Sequence, residues 1–160
     1  MTVMNVIKDF HGLTMTMTAE FTAPVERVWQ LWQDPRQLER WWGPPTYPAT
    51  FVELDLTSGG RASYFMTGPT GDQPRGWWRV LVADEPHQLE FENGFARDDG
   101  SPDDDQPFMM MRVLLARLPD GGTRMSVETT FPSSDAMAQI LARGMEEGLL
   151  GAMSQMDGLL

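Results

Sequence analysis

The sequence predicts an α+β fold in which one long C-terminal helix covers the apolar face of a seven-stranded antiparallel sheet, with two short helices after the first strand. Three observations indicate it. Residues 13–21 alternate apolar and polar side chains, residues 23–44 carry two helix-start signals, and Gly-Gly turns at 59–60 and 121–122 join consecutive strands. Strands that follow one another through hairpins form an antiparallel sheet.

The first predicted strand, residues 13–21, has the clearest alternation in the chain. Its threonines and Glu20 share one face. The other face carries Leu13, Met15, Met17, Ala19 and Phe21. A period of two is typical of a strand with one buried face.

Two short helices are predicted in residues 23–44, which hold four of the six tryptophans. The apolar face of the first helix consists of Val25, Val28, Trp29 and Trp32. Asp34 can cap the second helix, with Pro35 in its first turn and Gln37 three residues after the cap. The apolar face of this helix consists of Leu38, Trp41 and Trp42. Both helices must bury their indole rings against the rest of the protein.

The remaining elements are six strands and the long helix. The strands are expected at residues 50–56, 61–67, 77–83, 89–95, 108–118 and 123–131. The helix is expected to begin near Ser134 and to run toward Leu160. The acidic segment 98–105 lacks the residue order of a calcium loop, so it is interpreted as a solvated connection.

Composition limits the class of protein. The chain has 160 residues, a length typical of one domain, and we expect a single domain over residues 1–160. The net charge of −11 and the single lysine argue against nucleic acid and against an anionic membrane surface. No apolar run is long enough to span a bilayer, and no signal peptide precedes the first strand. Since the chain also lacks cysteine, we expect a cytoplasmic, acidic protein without disulfides.

A family resemblance is carried by three segments. The first is the tryptophan-rich stretch 23–44, the second is LDLTSGGR at 54–61 with its continuation to Gly68, and the third is GMEEG at 144–148. The sequence from Leu13 to Leu160 resembles the family of homologues of the activator of the heat-shock-protein-90 ATPase, within the START-like (SRPBCC, helix-grip) superfamily. This resemblance implies that the sheet is curved and grips the C-terminal helix, while the short helices close one end.

A cavity between helix and sheet is suggested by glycine and methionine. Gly144 and Gly148 lie one helical turn apart, where they either permit close packing or leave room for a ligand, and the resemblance favours a cavity. The 13 methionines suit an adaptable apolar pocket or a gap-filled core. The residues predicted to line the cavity are Trp41, Trp42, Tyr64, Met66, Trp78, Phe91, Met110, Met125, Gly144, Met145 and Gly148. Arg61 is the polar candidate at its mouth, with a position on the protein surface as the alternative, because arginine is rarely buried.

Two local choices stay open. Met109, Met110 and Met111 alternate, so either Met110 or its two neighbours face the helix. Trp77 and Trp78 also point to opposite faces, and the apolar residues at 80 and 82 favour Trp78 as the inner one. Trp77 is then exposed, at an interface or beneath a loop.

No arrangement of residues typical of catalysis or metal binding is found. Two histidines without cysteine do not build a three-ligand zinc site, and phosphate-loop, dinucleotide and Gly-x-Ser-x-Gly motifs are missing from the sequence. We therefore expect no catalytic residue, no metal and no cofactor.

Three functions are compatible with the sequence. The preferred hypothesis is a non-enzymatic protein that binds a small hydrophobic or amphipathic molecule. The alternatives, both taken from the resemblance, are a chaperone ATPase cofactor or other protein-interaction module, and a cyclase- or aromatase-like enzyme. The expected partner is an apolar small molecule of unknown identity, and a homodimer is left open.

Overall fold

One antiparallel sheet of eight strands dominates the computed structural model, which describes residues 4–160. The strands are β1 (Met4–Asp9), β2 (Thr14–Phe21), β3 (Ala49–Leu54), β4 (Arg61–Met66), β5 (Arg75–Asp84), β6 (Gln88–Ala96), β7 (Met109–Arg117) and β8 (Thr123–Thr130). Their spatial order is β1-β2-β8-β7-β6-β5-β4-β3. The chain therefore crosses from β2 to the far edge and returns strand by strand through hairpins.

The sheet has eight strands, not the predicted seven, because β1 is an additional edge strand. It pairs along its whole length with β2, from Met4 opposite Ala19 to Asp9 opposite Thr14. Its sequence does not alternate cleanly, since Ile7 is exposed on one face while Val6 is half-buried on the other. An edge strand without one continuous apolar face lacks the period-two signal that identifies β2.

Helices α1 (Val25–Gln33) and α2 (Pro35–Leu38) connect β2 to β3. The Asp34 carboxylate accepts hydrogen bonds from the backbone N–H of Arg36 and from Nε2 of Gln37, both at 2.9 Å. This cap closes the bend between the two helices. Trp41 and Trp42 were predicted to lie on this helix, but α2 ends at Leu38 and the chain continues in turns, where the Trp41 N–H donates to the backbone oxygen of Leu38. Both indole rings are nevertheless buried, as predicted.

The predicted long C-terminal helix is two helices, α3 (Ser134–Ala142) and α4 (Met145–Met153), followed by a 3-10 turn at Asp157–Leu159. The break is at Gly144, whose φ of 89° lies in the left-handed region. Glycine adopts this conformation without steric penalty and often ends a helix there. The prediction of one helix was wrong because Gly144 was assigned to a small-residue face within a continuous helix.

Gly144→Ala is expected to destabilise the protein by about 1–2 kcal/mol, because alanine resists a positive φ. Gly148→Ala, four residues later in α4, is the matched control and is expected to stabilise by about 1 kcal/mol through helix propensity. Urea unfolding measures both changes. A stabilising Gly144→Ala substitution would contradict the helix break.

The inner face of the sheet, which faces the helices, carries an aromatic core. The Trp32 ring lies 4.6 Å from that of Trp41 between ring centroids, and Trp78 stacks on Phe91 at 4.1 Å. Trp42 joins the two groups, with its ring 4.9 Å from that of Trp78. Of these rings, Trp42 also lines the space between the sheet and the C-terminal helices. No helix among residues 4–160 has the length and hydropathy needed to cross a bilayer.

Candidate functional site

A cavity of about 270 Å³ lies between the inner face of the sheet and helices α3 and α4. Most of its wall is apolar. The lining residues are Trp42, Pro44, Tyr47, Tyr64, Met66, Asn93, Phe95, Met109, Met111, Ile140, Arg143, Gly144, Met145, Gly148 and Leu149. For comparison, an apolar cavity of about 150 Å³ is large enough to hold benzene.

The sheet side of the cavity is built by alternate residues of three strands. Tyr64 and Met66 project from β4, Asn93 lies on β6, and Met109 and Met111 lie on β7. Residues two apart share a face of the sheet, so each strand presents its inward positions to the same space. Asn93 pairs directly with Met109 across the two strands.

The helix side leaves part of this space open at Gly148. A Cβ atom built on Gly148 would meet no atom within 4 Å beyond its chain neighbours and the backbone of its own helix. Gly151, one turn further, would instead contact Pro44 at 3.5 Å. A Cβ on Gly151 would therefore make ordinary van der Waals contact with Pro44, whereas Gly148 borders empty space.

Tyr64 and Asn93 form a buried polar pair in the wall. Nδ2 of Asn93 donates to the Tyr64 hydroxyl oxygen at 3.0 Å and to the backbone oxygen of Trp77 at 3.2 Å. Gly76 makes room for this arrangement, because a Cβ at that position would lie 2.3 Å from the Tyr64 hydroxyl. No acceptor for the Tyr64 O–H is found among residues 4–160.

The Tyr64 hydroxyl is held in its neutral form. Burial raises its pKa, and hydrogen bonding from Asn93 opposes this only in part. The indole N–H groups of Trp42 and Trp78 also lie near the oxygen and lower the pKa, although neither reaches hydrogen-bonding geometry. At neutral pH Tyr64 therefore carries a proton that it can donate to a bound molecule.

The side chains of Arg143 and Tyr47 lie at the rim of the cavity, and both form hydrogen bonds. The Arg143 guanidinium carbon lies 5.3 Å from the centre of the Phe95 ring, and Nη2 of Arg143 donates to Gln106 at 3.2 Å. The Tyr47 hydroxyl donates to the Asp72 carboxylate at 2.8 Å. That bond raises the pKa of Tyr47 and lowers the pKa of Asp72.

The structure brings six of the predicted lining residues together around the cavity. These are Trp42, Tyr64, Met66, Gly144, Met145 and Gly148. Four others are buried in the core and do not line the cavity, namely Trp41, Trp78, Phe91 and Met125. Trp78, Phe91 and Met125 occupy buried positions of their strands, and Trp41 follows α2. The sequence does not indicate which of the core positions border empty space.

Two predicted residues lie on the outer face of the sheet, away from the cavity. Met110 pairs with Glu92 across the sheet, while its neighbours Met109 and Met111 point inward. All three residues are methionines, so composition gave no signal for choosing between the faces. Arg61 borders an outer groove of about 850 Å³ and is exposed there.

The cavity also contains residues that the sequence did not single out, among them Asn93, Phe95 and Arg143. Asn93 lies between Phe91 and Phe95 at the inward positions of one strand. A polar side chain in such a series was the available signal for a buried polar site.

Trp77 lies on the outer face, beneath the loop that follows β6. Its Nε1 donates to the backbone oxygen of Phe95 at 3.0 Å, and its ring lies 5.8 Å from that of Phe108. Trp78, the inner partner, is fully buried. Within the described part of the chain, no three His, Cys, Asp or Glu side chains are placed to hold a metal ion.

Comparison with known proteins gives a family and several solved relatives. Residues 22–160 match the family model described as Activator of Hsp90 ATPase homolog 1-like protein. A solution NMR structure of a protein from Arthrobacter aurescens is 47% identical, with a TM-score of 0.91, and the match covers 96% of this chain and 88% of that one. A crystal structure of a protein from Mycobacterium smegmatis is 45% identical, with a TM-score of 0.91, and the match covers 100% of this chain and 97% of that one.

A more distant relative, a protein from Staphylococcus epidermidis, is 25% identical with a TM-score of 0.84, over 98% of this chain and 93% of that one. A search among curated proteins gives no match.

Proposed function

We propose that this chain, which belongs to the family of Activator of Hsp90 ATPase homolog 1-like proteins, binds a small hydrophobic or amphipathic molecule between helices α3 and α4 and the sheet. The proposal is of a binding protein rather than an enzyme. It rests on the shape and chemistry of the cavity in this chain.

The observation that carries the proposal is the empty space beside Gly148. Apolar surface that stays open in a cleft forgoes the stabilisation that burial would give, about 25 cal/mol per Å². Here a glycine in the middle of α4, which is unfavourable for helix stability by about 1 kcal/mol, borders a cavity of about 270 Å³. A binding role explains why neither a larger side chain nor a tighter packing fills it.

The chemistry of the wall supports the same proposal. Ligand sites are mostly apolar and carry a few polar groups that orient the bound molecule. Methionine and aromatic side chains supply the apolar surface, and methionine adapts readily to irregular shapes. Tyr64, with an unshared O–H and a fixed position against Asn93, can orient a ligand oxygen.

Fluorescence titration with phenylnaphthylamine, a neutral dye that brightens in apolar surroundings, tests the proposal. The expected result is a saturable increase in dye fluorescence that fits one site per chain. Naphthalene should reverse this increase by competing for the site. Native mass spectrometry of the purified protein then shows whether a small molecule has co-purified. A titration without saturation, together with a single apo mass, would refute the proposed function.

A further inference from the structure

We infer that the natural ligand is an amphipathic anion whose negative group binds the guanidinium of Arg143 at the rim while its apolar part fills the cavity. This inference rests on the proposed function and adds the chemical class of the ligand.

Among residues 4–160, Arg143 is the single charged residue in the wall of this cavity. It follows α3 directly and precedes Gly144, so the break between the helices fixes its backbone at the rim. The guanidinium lies over Phe95, which also lines the cavity, and a neutral amide, Gln106, accepts one of its hydrogen bonds. An arginine held against an aromatic ring keeps its remaining N–H donors available in a fixed plane.

Arg143 also lacks a carboxylate partner in the part of the chain that the structure describes, where no carboxylate oxygen lies within 4.0 Å of it. Among the described residues, Arg27, Arg40, Arg61 and Arg75 also form no ion pair, but none of these four lines the cavity. The basic residues that do form ion pairs are Lys8, Arg36, Arg79, Arg97, Arg112, Arg117 and Arg124.

The acidic groups nearest the rim are engaged elsewhere or lie outside the wall. Glu146 pairs with Lys8 at 2.6 Å, and the Asp72 carboxylate accepts hydrogen bonds from Tyr47 and Thr70. Glu147 is exposed and does not line the cavity, although its Oε2 would lie 3.8 Å from a Cβ built on Gly144. Among the described residues that line the cavity, a ligand anion therefore meets the cation Arg143 and no carboxylate.

The position of the charge determines the shape of the ligand. An anion at the exposed guanidinium keeps part of its hydration, so it avoids the large penalty of a buried charge. The apolar part can then extend inward between the methionines and Trp42. A guanidinium binds a carboxylate with two parallel hydrogen bonds, a geometry that lysine does not reproduce.

Three naphthalene compounds that differ only at the end of a two-carbon chain test the inference: naphthylacetate, naphthylethanol and naphthylethylamine. Each competes with phenylnaphthylamine at neutral pH and physiological salt, where long-range repulsion from the net charge is screened. The acid is expected to bind about fivefold more tightly than the alcohol, because its carboxylate forms a partly exposed ion pair with Arg143. The amine is expected to bind more weakly than both, because its positive charge is repelled by Arg143.

Arg143→Gln should remove the difference between acid and alcohol, and Arg143→Lys should restore part of it. Arg61→Gln makes the same charge change on the outer face and should keep the difference. If the alcohol binds as tightly as the acid, or the amine binds best, the inference fails while the proposed function stands. If none of the three competes and the dye itself does not bind, both fail.

Discussion

Trp32→Ala is expected to lower the free energy of unfolding by about 3–5 kcal/mol, the range for truncating a large buried aromatic side chain. The Trp32 ring is fully buried and packs edge-on against Trp41, with Trp42 and Phe91 within 6.3 Å between ring centroids. Its removal leaves a void at the junction of α1 with the sheet. Urea unfolding of the variant and of the wild type measures the loss.

Trp32→Phe is the matched control. It keeps an aromatic ring, and it sacrifices no hydrogen bond because the Trp32 indole nitrogen has no partner among the described residues. The Trp32→Phe substitution should therefore lower the free energy of unfolding by clearly less than Trp32→Ala does. A loss below about 1 kcal/mol for Trp32→Ala itself would show that the aromatic cluster is not the centre of the core.

Gly148→Leu is expected to abolish dye binding while the protein stays folded. The leucine side chain would enter the empty space beside α4. Replacing a glycine inside a helix also favours the helix, by about 1 kcal/mol of helix propensity. The variant should therefore unfold at the same or a higher urea concentration than the wild type. Fluorescence titration and urea unfolding of one preparation give both results.

Gly158→Leu controls for a leucine at an open glycine away from the cavity, since a Cβ there also meets nothing within 4 Å. It should bind the dye as the wild type does. If Gly148→Leu instead destabilises the protein by about 1–3 kcal/mol, as an overpacked core does, then the glycine serves close packing and the cavity is closed in solution.

Sequence periodicity predicted the parts of the fold in which local and tertiary preferences agree. Strand β2 has one buried face, and its alternating Met15, Met17, Ala19 and Phe21 are all buried. Asp34 and Pro35 likewise marked the start of α2 because a cap is a local feature of the chain. Edge strand β1 could not be predicted in this way because its sequence has no amphipathic pattern. It forms a strand because it pairs with β2 along its whole length.

The cavity was harder to predict than the core around it. Alternation shows that a residue points inward, but only the packing of several elements shows whether it meets a neighbour or empty space. Met125 and Tyr64 both point inward, yet only Tyr64 reaches the cavity. Arg143 lies at the rim, directly before the helix break at Gly144. Because the sequence predicted one continuous helix, it did not predict this position for Arg143.

The methionine methyl groups test most directly whether the space between the helices and the sheet is a binding site. In protein labelled with ¹³C at these methyls, titration with naphthylethanol should shift the signals of Met66, Met109, Met111 and Met145, which line the cavity. The signal of Met110, on the outer face of the same strand, should stay in place. Shifts at Met110 without shifts at Met109 and Met111, or no shifts at saturating ligand, would contradict the account.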